Sequence, residues 1–153
     1  KTILRIPVFG PLIKTIHLSR FCLSMSLLIT SKTPLIEILG LMQKMVGFYP
    51  LQRSLKPISE DILKGIALHE SMSKFSIYDS RMISLIRVAE QVNKLDQVFD
   101  QLNKQYDAEI DYRSSVISSV MEPLIIVMIG LIVGLILISM YLPMFEVSTS
   151  FEF

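Results

Sequence analysis

Residues 124–142, LIIVMIGLIVGLILISMYL, run for nineteen residues without a charge. At the helical rise they span about 28 Å, close to the ~30 Å hydrocarbon thickness of a bilayer. Only Ser139 and Tyr141 carry polar side-chain atoms there. A buried core helix is seldom both this long and this apolar, so the stretch predicts a transmembrane helix. Pro143 cannot supply the next helix N–H and is expected to stop it. Outside this stretch the composition changes. All fifteen Lys and Arg residues lie at or before Arg113, and no charge falls between Pro123 and Phe145. The chain therefore reads as a charged, folded part joined to one membrane span. The averages hide this split: 153 residues, 51% hydrophobic, mean hydropathy +0.52. Fifteen basic against fourteen acidic residues leave a net charge of +1, which excludes a uniformly basic nucleic-acid binder and a uniformly acidic tail.

Arg113 and Lys104 flank the span on its N-terminal side, whereas the tail MFEVSTSFEF has no basic residue and carries Glu146 and Glu152. The positive-inside rule then puts the N-terminal part in the cytoplasm. Within the span, Gly130 and Gly134 form a G-x-x-x-G, which lets another helix approach closely, although Gly is common in membrane helices. Glu122-Pro123 sits where the charged part meets the span. Pro123 fits a first helical turn or a kink within one long helix. The Glu122 carboxylate fits two roles: an interfacial group facing headgroups and water, or one paired with a partner in the protein.

Before the span, helical spacing dominates and no strand alternation is sustained. Met82, Leu85, Ile86 and Ala89 make an i, i+3, i+4, i+7 stripe. Leu95, Val98, Phe99, Leu102, Tyr106 and Ile110 make a second, with Asp96, Asp100, Lys104 and Asp107 opposite. Glu109 and Arg113 form an i,i+4 pair of the favourable order. Between the stripes, Asn93 tolerates the left-handed backbone that ends a helix, so a tight helical hairpin is predicted. Leu35, Ile38, Leu39, Met42 and Met45 mark an earlier helix after Pro34. Pro57 is expected to kink its helix or split it at Lys56. The predicted helices cover about 12–31, 34–46, 50–64, 67–74, 79–92 and 95–141. The fold class is all-α: an antiparallel helical bundle of about six helices whose last helix continues into a single span, a rod of about 70 Å from Leu95 to near Leu142.

No catalytic arrangement emerges. The glycines are scattered rather than gathered in a phosphate loop. His17 and His69 have no paired acid or nucleophile at motif spacing. His69-Glu70 lacks the second His that a zinc helix requires. Asp100, Asp107 and Asp111 read as a solvated face, and no cofactor or metal is expected. Cys22 alone excludes an internal disulfide and reads as a buried thiol. The chain opens on Lys1, so it is read as a fragment or processed product with an upstream part missing.

Four signatures stand in order: Ile6-Pro7-Val8-Phe9-Gly10-Pro11-Leu12; Arg20-Phe21 with Ser26-Leu27-Leu28 and Pro34-Leu35-Ile36; Met82-Ile83, Glu90, Leu95-Asp96 and Tyr106; and Met121-Glu122-Pro123-Leu124, Gly130, Gly134 and Leu142-Pro143-Met144-Phe145. Together they resemble the inner-membrane platform family of type II secretion and type IV pilus machines, over nearly the whole chain. The resemblance implies a protein with two similar cytoplasmic helical domains and three membrane helices, of which this chain is the second domain and the last helix. The family turn usually reads Gly-Glu-x-Ser-Gly-x-Leu; here it is Ala89-Glu90-Gln91-Val92-Asn93-Lys94-Leu95, without either glycine. Thr33 stands where the family often has Gly before a proline.

The domain map expected is an opening segment 1–11, a cytoplasmic bundle 12–113, a membrane-boundary part of the long helix 114–122, a transmembrane helix 123–143 and a short periplasmic tail 144–153. The resemblance implies a non-enzymatic platform in the bacterial inner membrane that couples a cytoplasmic assembly ATPase to pilin or pseudopilin insertion. Its implied partners are that ATPase, the pilin subunits, other inner-membrane assembly proteins, further copies of itself and the lipid bilayer, with no nucleic acid. The competing reading is a membrane anchor and helical module of a signalling protein or enzyme whose active domain lies upstream.

Overall fold

The structure, a computed structural model, describes residues 9–149. The opening Ile6-Pro7-Val8 and the last tail residues, 150–153, lie outside it. Six helices follow one another: α1 (Phe9–Thr30), α2 (Leu35–Met45), α3 (Tyr49–Leu63), α4 (Leu68–Met72), α5 (Ser80–Val92) and α6 (Leu95–Thr149). There is no strand among the described residues. The chain divides into two compact units between Asp111 and Tyr112.

The first unit is a bundle built around the faces that the sequence periodicity marks. Leu18, Phe21, Cys22 and Met25 recur at i, i+3, i+4 and i+7 on α1, and all four are buried. They meet Ile38, Leu39 and Met42 from α2, Leu51, Leu55 and Ile58 from α3, Met82 and Ile86 from α5, and Phe99, Leu102 and Tyr106 from α6. Phe21 lies edge-on to Phe99, with ring centroids 6.3 Å apart. Cys22 is the buried thiol the sequence suggested, and burial pushes its pKa up. Polar clips tie the helices at the margin of this core. The Ser19 hydroxyl lies 2.5 Å from Asp107 Oδ1, joining α1 to α6. The Ser26 hydroxyl donates to the Asp96 carbonyl, joining the same two helices one layer along. Ser54 and Tyr78 bond through their hydroxyls at 2.7 Å, and burial raises the tyrosine pKa.

Three helix ends use the same device. Lys32, Gly65 and Asn93 take positive φ of 59°, 84° and 55°. The residue after each donates back across the turn: Thr33 to Leu28, Ile66 to Asp61 and Lys94 to Ala89. This is the Schellman arrangement, in which a left-handed residue lets the chain reverse while satisfying an orphaned carbonyl. Asn93 supplies it as the sequence predicts. After α1 the left-handed residue is Lys32, one position before Thr33.

Two expectations are corrected: α3 is not split at Lys56, and Pro143 does not stop α6. α3 runs without interruption through Pro57. Leu51, Leu55 and Ile58 are buried on both sides of the proline, whereas Pro57 and Arg53 are exposed. Water can therefore reach the Arg53 carbonyl that loses its donor, while the buried face holds the helix together. Pro143 does not stop α6, which continues to Thr149 rather than ending near residue 141. One missing N–H costs one hydrogen bond, and the residues that follow re-enter the ladder. Met45 is the last residue of α2, within the helix its spacing marks, and is 69% exposed.

His17 stacks on Phe48, with centroids 4.5 Å apart and the rings within 6° of parallel. Burial first, and then the nearby Arg20 charge, lower its pKa below the ordinary 6.5. A base with a depressed folded pKa favours the neutral form, so its contribution is present above the unfolded pKa and lost as pH falls through the folded one. Wild type is therefore expected to lose more stability between about pH 7 and pH 5 than His17→Phe, which keeps the stack without the proton. Thermal melts of the two proteins in the same detergent at a series of pH values check this. Equal slopes would count against it.

Candidate functional site

The residues singled out in the sequence fall into two groups, one in each unit. In the bundle, Glu90 lies on the last turn of α5. Its carboxylate accepts the Leu68 N–H at 2.7 Å and the His69 N–H at 3.2 Å, and its Oε2 pairs with His69 Nδ1. α4 has Ala67 at its N-cap position and makes no side-chain cap of its own. Glu90 therefore performs from a neighbouring helix the task that a capping Ser or Asp performs locally: it satisfies N–H groups that have no partner inside the helix. His69 thus has an acid partner, twenty-one residues away in sequence. Motif spacing within α4 could not have found that pair, since only the α4–α5 packing creates it.

Three residues on, Asn93 ends α5 in the left-handed conformation. Leu95 opens α6 and packs, half-buried, against the core. The segment from Glu90 to Leu95 thus ties α4 to α5, reverses the chain and docks the start of α6. A second polar group lies at α5's other end. Asp79 Oδ2 accepts from the Tyr106 hydroxyl at 3.3 Å, and Lys14 approaches Asp79 Oδ1 at 3.4 Å. Burial, and then the Asp79 charge, raise the Tyr106 pKa, so the phenol remains a donor throughout the physiological range.

The second group lies on the part of α6 in the second unit. Glu122 is exposed and makes no hydrogen bond or ion pair among the described residues. Pro123 withholds its N–H from the carbonyl of Ser119, so what it leaves unpaired is an acceptor, which a carboxylate cannot satisfy. The hydroxyls of Ser118 and Ser119 turn back onto the carbonyls of Ser114 and Ser115. Gly130 and Gly134 are open: a Cβ built on either would meet nothing within 4 Å. Along the span the large side chains stay uncovered, from Leu124 at 54% to Leu142 at 61% exposure.

Among the described residues two helices are long and apolar enough to cross a membrane, Gly10–Thr30 and Leu95–Ser148. α1 buries one face in the bundle, while the most apolar part of α6 has no protein against it. Among the described residues no group of three His, Cys, Asp or Glu side chains could hold a metal ion.

Residues 21–143 match the family described as type II secretion system (T2SS), protein F. The chain belongs to that family. It is similar to the type IV pilus assembly protein PilC of Pseudomonas aeruginosa, 26% identical over 147 residues, covering 96% of this chain and 39% of that protein. PilC of Myxococcus xanthus is 26% identical over 148 residues, covering 97% of this chain and 36% of that one. The type II secretion system protein F of Pseudomonas aeruginosa is 23% identical over 96 residues, or 63% of this chain and 24% of that protein. The chain thus spans about two fifths of the length of these two pilus-assembly relatives. Secretion and pilus-assembly proteins share the family, and this member is a membrane protein by its uncovered α6 span.

Removing the Glu90 carboxylate orphans two N–H groups of α4. Glu90→Ala is expected to lower stability by about 1–3 kcal/mol, and Glu90→Gln by less, because the amide keeps one acceptor. Amide exchange in the detergent-solubilised protein should accelerate at Leu68 and His69 while Leu102 stays protected. Unchanged exchange at Leu68 would refute the cross-helix cap.

Proposed function

We propose that this chain is a structural segment of an inner-membrane assembly platform for a type II secretion or type IV pilus machine. The family match over residues 21–143 carries the reading, because it joins the bundle to the span in one unit of descent. The bundle, residues 12–113, would lie in the cytoplasm, with 114–122 at the membrane boundary, 123–143 across the bilayer and 144–153 on the periplasmic side. The excess of Lys and Arg before Arg113 supports this orientation. The platform is not an enzyme in this reading. It transmits the work of a cytoplasmic assembly ATPase to pilin or pseudopilin subunits, beside other inner-membrane assembly proteins and further copies of itself.

Glu122 would serve at the boundary. A carboxylate leaving water without a partner costs several kcal/mol or takes up a proton. In the assembled platform it would pair with a cationic group of the platform or of an incoming pilin. Gly130 and Gly134 would seat another membrane helix. Their open faces support this, since among the described residues nothing lies within 4 Å of a Cβ built on either.

Two substitutions test the reading in the full-length protein within its own membrane. Glu122→Gln is expected to impair pilus assembly or secretion at matched membrane levels while the bundle stays folded. Normal assembly would remove the charged contact. Replacing both glycines by leucine, Gly130→Leu with Gly134→Leu, is expected to abolish helix–helix crosslinks through this face and reduce assembly. Crosslinking that persists unchanged would remove the packing role.

A further inference from the structure

A cleft of about 360 Å³ opens between α1 and the end of α2. One wall carries His17, Arg20 and Ser24; the other carries Met45, Val46 and Gly47. We propose that this cleft docks a peptide segment of a partner protein that bears a carboxylate flanked by apolar side chains. The proposal is independent of which machine the chain serves.

The polar wall is unsatisfied by the protein itself. Arg20 is exposed and makes no hydrogen bond or ion pair among the described residues. Among the described residues no Asp or Glu lines the cleft. The other α1 hydroxyls all have partners: Thr15 and Thr30 bond back to their own helix, Ser19 to α6 side chains and Ser26 to an α6 carbonyl. Ser24 is the one hydroxyl on α1 without a partner among the described residues. A guanidinium and a free hydroxyl one turn apart on the same face offer a carboxylate two donors, in a geometry that Arg serves better than Lys.

The apolar wall says what accompanies the charge. Met45 is 69% exposed at the rim. A flexible thioether adapts to irregular apolar side chains. Val46 and Phe48 are extended, and a Cβ on the intervening Gly47 would meet nothing within 4 Å. The backbone of a bound segment can therefore come close to this strand-like stretch. A small inorganic anion would leave the methionine and valine surface uncovered. An anionic lipid surface is matched by clusters of Lys and Arg, whereas one guanidinium lines this cleft.

The test uses the full chain in zwitterionic phosphatidylcholine nanodiscs and a displayed random-peptide library. Selection on wild type is expected to enrich sequences with Asp or Glu flanked by apolar residues. Selection on Arg20→Glu should shift to Lys- or Arg-bearing sequences. A selected peptide, measured by fluorescence polarisation, should lose about tenfold or more in affinity when its acid is changed to the amide, and Arg20→Gln should remove that difference. Met45→Glu, a second exposed change, should weaken the same acidic peptide by repulsion. Thermal melts matching wild type confirm that each variant is folded. No enrichment, enrichment without acidic residues, or peptides that bind Arg20→Gln as well as wild type would each overturn the proposal. So would an Arg20→Gln protein that loses binding to phosphatidylglycerol vesicles but keeps the peptides, because the site would then belong to lipid.

Discussion

Phe21 is the contact on which the bundle turns. It sits 2% exposed between Phe99 of α6 and Tyr78 of the segment before α5, with ring centroids 6.3 Å and 6.2 Å away. Aromatic edges and faces at this separation attract beyond the area they bury, and losing such a ring typically costs about 3–5 kcal/mol. α1 is also long and apolar enough to cross a membrane, although it carries Lys14 and Arg20 where residues 124–142 of α6 carry no charge. The two differ as well in what their apolar side chains touch. Phe21 and its neighbours Leu18, Cys22 and Met25 are covered by protein, and the Ser19 and Ser26 hydroxyls are spent on α6. The residues of the α6 span have no such cover.

Much of this was legible in the sequence because periodic patterns report burial directly. The stripe Met82, Ile86 and Ala89 and the stripe Phe99, Leu102 and Tyr106 are buried as their spacing requires. Asn93 was legible as a left-handed helix end because few non-glycine side chains tolerate that backbone. Lys32 was not, since lysine carries no such preference and takes the conformation only because the turn into Pro34 demands it. The site residues split in the same way. Leu95 docks on the core as an apolar position should, but nothing around Glu90 shows that its carboxylate caps α4. Cross-helix pairs such as Glu90 with His69, or Tyr106 with Asp79, exist only once the helices have packed. Met45 shows the converse limit: apolar spacing continues to the last residue of the helix, which is exposed.

The turn at Asn93 shows how a left-handed helix end can be held without glycine. Left-handed backbone costs a non-glycine residue roughly 1–2 kcal/mol, which glycine avoids. The chain accepts that cost at Asn93 and at Lys32, and at both places the following N–H closes back across the turn, Lys94 to Ala89 at 2.9 Å and Thr33 to Leu28 at 3.4 Å. Glu90 adds a second constraint on the same turn from the side, through α4. At Asn93 the geometry is therefore held by the bond across the turn and by the Glu90 bonds to α4, not by the permissiveness of one residue.

The prolines follow a related logic. Each removes the donor for the carbonyl four residues earlier, so the consequence depends on what surrounds that carbonyl. For Pro57 it is Arg53, exposed on the bundle surface, and the helix passes through. For Pro123 it is Ser119, before the uncharged run begins. For Pro143 it is Ser139, three residues inside the end of that run. An unpaired carbonyl in the middle of the hydrocarbon would cost several kcal/mol. Both prolines of α6 instead put theirs towards an end of the span, within reach of headgroup water. Between them, the carbonyls of residues 124–138 each have a helical N–H four residues on, so the ladder is unbroken along the middle of the apolar run, where a lost bond would have no water to replace it. The helix is thus continuous across its apolar length and weakened only where solvent can repair the weakness, which leaves the ends of the span, and Glu122 beside one of them, as the places where this helix can bend at least cost.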